Sequence, residues 1–153
     1  MTRLHERIPT VLPPEAVFDY VADFQSAAEW DPGVARARRI DGGPIGVGTR
    51  YELGVRMGRR VVPMTYRITV FERPTRVVLE GAGANVEAVD DIRFEPRAGG
   101  TVVDYSADIR LRGWMRLAQP FVGGALEKVG RTAAAGMTRT LSAKAKSSAE
   151  VAG

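Results

Sequence analysis

A chain of 153 residues with 44% hydrophobic and 26% charged side chains has the make-up of one globular domain, large enough to enclose a core with a cavity in it. It has no cysteine, which excludes disulfides, thiolate nucleophiles and cysteine-ligated metals. The net charge of +4 is mild and scattered, unlike the concentrated basic face of a nucleic-acid binder, and no stretch approaches the ~20 apolar residues of a membrane span.

Residues Thr2 to Ile8 alternate as a strand, with Leu4, Glu6 and Ile8 on one side and His5 on the other. Pro13-Pro14 opens a helix, because a first turn has no use for the missing N–H, and Glu15 suits its positive end. Val17, Phe18, Val21 and Ala22 recur at helical spacing. A second short helix, Gln25 to Glu29, runs into the turn Trp30-Asp31-Pro32-Gly33. The segment from Val34 reads as a weak strand, and GGPIGVG as a hairpin turn. Phosphate-binding glycines would lead into a helix, and a strand follows here.

Strand three places Tyr51, Leu53, Val55 and Met57 on one face. Strand four, Arg60 to Phe71, aligns Val62, Met64, Tyr66, Ile68 and Val70. Val77 and Leu79 mark strand five, with a loop expected over Gly81 to Asn85. Strand six aligns Val86, Ala88, Asp90, Ile92 and Phe94; strand seven turns Val103, Tyr105, Ala107, Ile109 and Leu111 inward. Short turns between consecutive strands mean an antiparallel meander. The last element is a long amphipathic helix over about Gln119 to Lys146, with Pro120 in its first turn and Phe121, Ala125 and Val129 facing the sheet. Gly136 is the glycine on the apolar arc, and fraying is expected from Ser142 onward. A sheet with one apolar face and one helix to cover it should leave a hollow.

That element order resembles the START-like (helix-grip) superfamily, in particular its bacterial polyketide cyclase/dehydrase and lipid-transport branch (SRPBCC). The resemblance covers nearly the whole chain. It rests on PPEAVFDYVADFQSAAEWDPGV, on YRITVFERPTRVVLEG and on IRFEPRAGGTVVDYSADIRL. It implies an α+β helix-grip fold, a seven-stranded curved antiparallel sheet around the C-terminal helix, with two short helices after strand one. One START-like domain would span 1–146, with a frayed tail at 147–153. The resemblance further implies an internal cavity for a lipid, polyketide or sterol-like molecule, and it carries no catalytic set over by position.

Asp90 is the sharpest candidate for chemistry. Strand parity aims it among apolar neighbours, where desolvation would raise its pKa; a bulge at Asp90-Asp91 or a wet sheet end would turn it to solvent. Tyr51, Tyr66 and Tyr105 fall on inward faces and could offer hydroxyls to a ligand. The expected cavity wall comprises Tyr51, Leu53, Met64, Tyr66, Ile68, Leu79, Ile92, Tyr105 and Ile109, with Trp30 and Trp114 either at its mouth or serving as hydrophobic caps. A single outward histidine leaves no metal set and no serine triad. The resulting expectation is a cytoplasmic binder of a small apolar molecule. It uses no cofactor, no metal and no nucleic acid, has no stable membrane insertion, and is compatible with a homodimer. Two alternatives stay open: a cyclase or dehydrase using Asp90 or a tyrosine for proton transfer, and a protein-interaction module.

Overall fold

The computed structural model describes residues 2–152. Seven strands form one antiparallel sheet: β1 (Thr2–Thr10), β2 (Val34–Arg39), β3 (Arg50–Met57), β4 (Arg60–Glu72), β5 (Arg76–Ala82), β6 (Val86–Arg97) and β7 (Gly100–Leu111). Their order across the sheet is β1-β7-β6-β5-β4-β3-β2. Strands β2 to β7 are therefore a simple meander, and β1 closes against β7. Consecutive strands β1 and β2 end up on opposite edges, so the chain between them has to cross the sheet. It does so as α1 (Pro14–Ala22), a 3-10 turn (Phe24–Ser26) and α2 (Ala27–Trp30). The long α3 (Gly123–Ala152) leaves from the β7 end and lies over β1 and α2. This is the α+β helix-grip arrangement that the sequence predicts.

The inner face of the sheet is apolar and divides into a solid half and a hollow half. In the solid half α1 seals the sheet. Its buried Val17, Phe18, Val21 and Ala22 lie on one side of the helix, and Phe18 meets Phe71 and Phe94 edge-on at 5.2 and 5.1 Å. Phe71 reaches this position because the β4–β5 register shifts between Ile68 and Val70. The extra residue reverses the parity of the strand end, so Phe71 turns inward in place of the expected Val70. The stretch expected as a loop from Gly81 begins later, since Gly81 and Ala82 pair with Tyr66 and Thr65 as the end of β5.

The C-terminal helix departs most from expectation. It begins at Gly123, and residues 113–121 form 3-10 turns instead. Pro120 removes a backbone donor, and Gln119 ties the segment to the strand ends by accepting from Leu111 N at 2.7 Å and donating to Thr2 Oγ1 at 2.7 Å. The buried face is also rotated. Met137 and Leu141 are each 1% exposed, whereas Phe121 is 86% exposed and Ala125 lies in solvent. Gly136 opens no room for a strand or a ligand. A methyl group there would stand 1.9 Å from the carbonyl oxygen of Trp30, so this glycine lets α3 rest directly on the end of α2. The tail expected to fray is helical as far as Ala152; Gly153, like Met1, lies outside the described residues. No helix among the described residues is long and apolar enough to cross a membrane.

Candidate functional site

The hollow half holds a cavity of about 150 Å³ between the sheet, α2 and α3. It is hollow because its residues are small. On β6 the wall is Ala88 and Asp90, where the solid half carries Ile92 and Phe94; on β7 it includes Ala107, and on α3 Gly130, Ala133 and Ala134. Leu4 and Ile8 of β1, Leu53 and Val55 of β3, Ile109, Val129 and Met137 supply apolar bulk around these gaps, and Glu6 stands between Leu4 and Ile8 on the same wall. Trp30 stands at the α2 side, 3% exposed, with its indole N–H on Ser26 Oγ at 3.2 Å. Its ring meets Tyr105 edge-on at 5.8 Å and Phe24 at 6.3 Å, and Phe24 meets Tyr66 at 5.1 Å. One side of the cavity is therefore aromatic and the other aliphatic.

Tyr66 owes its pose to a glycine. Gly81 sits opposite it on β5, and a Cβ at that position would lie 2.5 Å from the Tyr66 ring. The ring lies across the empty position and carries its hydroxyl toward the cavity.

Asp90 stays inward because the registers of β6 against β5 and β7 run unbroken through it. It is 6% exposed, and its Oδ2 accepts a hydrogen bond from the Tyr105 hydroxyl. Burial pushes its pKa up to about 7; the Tyr105 bond pulls the other way, and the charge of Asp31 adds to the rise. Both tyrosine hydroxyls are held well above the ordinary phenol range, first by burial and then by the charge of Asp90. Neither ionises at ordinary pH, so both remain hydrogen-bonding groups.

The structure sorts the predicted wall. Trp30, Leu53, Tyr66, Asp90, Tyr105 and Ile109 line the cavity. Tyr51, Met64, Ile68, Leu79 and Ile92 do not: they are buried in the solid packing, and Tyr51 sends its hydroxyl to the Ala22 carbonyl at 3.5 Å. Strand parity finds the correct face, but it carries no information on which half of that face is filled. Trp114 is 75% exposed in the 3-10 segment and touches no part of the cavity, because that segment is held at the strand end instead of folding under the sheet. Asp31 is a wall residue that the sequence reading passed over as part of a turn. Burial raises its pKa while the Gly33 N–H, 2.8 Å from Oδ1, lowers it. Its one signal in the sequence is its place beside Trp30.

The family model described as polyketide cyclase/dehydrase and lipid transport matches residues 1–145. The chain belongs to that family. Among solved structures, this family member is similar to a START superfamily protein from Mycobacterium smegmatis, with 11% identity, a TM-score of 0.78, and 93% of this chain and 98% of that one covered. It is similar to TTHA0849 from Thermus thermophilus, with 17% identity, a TM-score of 0.74, and 94% and 97% covered. It is also similar to the Zhui aromatase/cyclase from a Streptomyces species, with 14% identity, a TM-score of 0.72, and 94% and 93% covered. At these identities the likeness is one of fold alone. No significant match to this family member was found among curated protein sequences. No group of three or more histidine, cysteine or carboxylate side chains among the described residues could hold a metal ion.

Proposed function

We propose that this protein binds a small apolar molecule with a flat ring in the cavity between the sheet and α3. The observation that carries the reading is the cavity itself, about 150 Å³ with a mostly apolar wall, an aromatic side and a few buried polar groups. Dry apolar cavities of ~150 Å³ take up benzene-sized molecules. Of the lipid, polyketide and sterol-like candidates, that volume favours a single ring or one end of a longer chain. Calorimetric titration with neutral ring compounds such as toluene or indole should give saturable one-to-one binding. Native mass spectrometry of protein isolated from its own host should show a co-purified small molecule. Absence of binding by any ring-sized neutral compound would overturn the reading.

A second reading is favoured by one observation, the buried carboxylate of Asp90 facing that cavity beside Tyr105. A carboxylate poised near neutrality can take a proton from an activated carbon of a bound polyketide, becoming the acid while Tyr105 keeps it oriented. Asp90→Asn separates the two readings. A binding protein has no turnover to lose, whereas a cyclase or dehydrase should retain ligand affinity and lose conversion by orders of magnitude.

A further inference from the structure

The cavity wall contains three acids, Glu6, Asp31 and Asp90, and none of the 22 lysines and arginines of this net-positive chain. The single histidine is on the opposite face of the sheet, paired with Asp104 at 2.9 Å. Several polar atoms in this space have no protein partner among the described residues. Asp90 receives a donor at Oδ2 and none at Oδ1; Asp31 receives one at Oδ1 and none at Oδ2. The Tyr66 side chain is only 7% exposed, lines the cavity, and makes no hydrogen bond to the protein. No buried polar side-chain atom among the described residues is sealed into packing without a partner, so these oxygens keep accessible surface, and their residues line the cavity.

We propose that the ligand is an apolar molecule carrying a protonated amine. The ammonium would sit toward Asp31 and Asp90, and the ring would lie against Trp30 and Phe24. The inference rests on the binding reading above and names its ligand class. Ionised carboxylates only accept hydrogen bonds, and the Tyr66 hydroxyl can accept as well. An ammonium brings three donors and the compensating charge, whereas a hydroxyl brings one donor and no charge. Aromatic rings beside the carboxylates add cation–π attraction. A carboxylate-headed molecule would meet a wall of acids with no lysine or arginine to receive it, so a fatty-acid head group should bind weakest there.

Occupancy should also couple to protons. Burial holds Asp90 partly protonated near neutral pH, so an entering ammonium displaces that proton. The titratable groups facing Asp90 are Glu6 from β1, Asp31 beyond α2, Tyr66 from β4 and Tyr105 from β7; α3 presents only Val129, Gly130, Ala133, Ala134 and Met137. Amine affinity should therefore fall as pH is lowered from 8 to 5.

The test is a series of four compounds of one size titrated into the unmodified protein: toluene, benzyl alcohol, benzylamine and benzoate. Benzylamine should bind about tenfold or more tighter than benzyl alcohol, as a charge-assisted hydrogen bond implies, and benzoate should bind weakest. In Asp90→Asn or Asp31→Asn the amine's advantage should shrink to about threefold or less. If toluene and benzyl alcohol bind and benzylamine binds no better, the amine proposal fails and the cavity reading stands. Tightest binding by benzoate overturns the proposal as well. If none of the four binds, the cavity reading itself has failed. The unmodified protein decides among these outcomes even if a variant does not fold.

Discussion

Asp90 and Asp91 are neighbours on β6, yet the two faces of the sheet treat them in opposite ways. Asp91 points to the convex face, where Arg76 grips it with two hydrogen bonds of 3.0 and 2.9 Å and holds its carboxyl below the usual range. The same face pairs Asp108 with Arg3, Asp104 with Arg7 and His5, Glu95 with Arg7, and Glu87 with Arg112. Asp90 points to the concave face, finds one phenol and no cation, and is pushed up to about 7. A one-residue step reverses the sign of the shift, because strand parity decides which face a carboxylate meets. The contrast separates a face of paired charges from an interior left electrostatically open.

The largest expected effect tests the interior half of that contrast. Below pH 4, Asp90→Asn and the wild type should have similar stability. As pH rises from 3.8 toward 7 the unfolded carboxyl ionises and the folded one does not, so the unfolded state is favoured. The wild type should lose up to about 4 kcal/mol relative to Asp90→Asn across that window, measured by urea unfolding at each pH. Parallel stability curves would show that Asp90 is solvated.

Next come two glycines that lack a side chain for different reasons. Gly136→Ala drives a methyl into the Trp30 carbonyl, a backbone atom with nowhere to go, and should cost about 1–3 kcal/mol despite alanine's better helix propensity. Gly54→Ala on the convex face meets side chains instead of backbone, the flexible end of Arg36 and a methyl of the exposed Val61, each at 2.8 Å, and should cost less than Gly136→Ala, about 1 kcal/mol. Equal melting points for the two variants would mean that α3 is not seated on α2.

Filling the hollow should dissociate binding from stability. Ala107→Leu projects three more carbons into the cavity and should raise stability by about 1–2 kcal/mol while weakening toluene binding at least about tenfold. Unchanged affinity would move the binding site elsewhere.

The smallest effect lies on the convex face. Asp91→Asn should cost less than about 1 kcal/mol, as exposed pairs do, and with the opposite pH slope. Its wild-type advantage is present above the ordinary carboxylate pKa and fades as pH falls through the lowered one. An advantage that grew on acidification would contradict the assigned partner.

Much of this architecture can be read from period-two alternation. Seven strands, the inward aim of Asp90 and the outward aim of His5 follow from alternation, because one face is mostly apolar. The hollow was legible in principle, since Ala88 and Ala107 stand where Ile92 and Phe94 fill the neighbouring half. Three features were not legible. The bulge at Thr69 shifts parity without a glycine to mark it, which moved Phe71 inward. Small residues lie on both sides of α3, so its buried arc through Leu126, Gly130, Ala133 and Met137 has little contrast against Ala125 and Thr132. Asp31 follows a single helical turn, where no periodicity reaches.

The sheet order has one more consequence, for behaviour at high concentration. With β1 covered by α3, the more open edge is β2: Gln25 Oε1 takes the Arg39 N–H at 3.2 Å, and the remaining outward backbone groups could recruit a strand from another molecule. That edge is six residues long, is interrupted by a register shift between Val34 and Arg36, and carries Arg36, Arg38 and Arg39. Two approaching copies would have to align these arginines with one another. The edge is thus a poor template for cross-β growth, although the sheet does not close into a barrel.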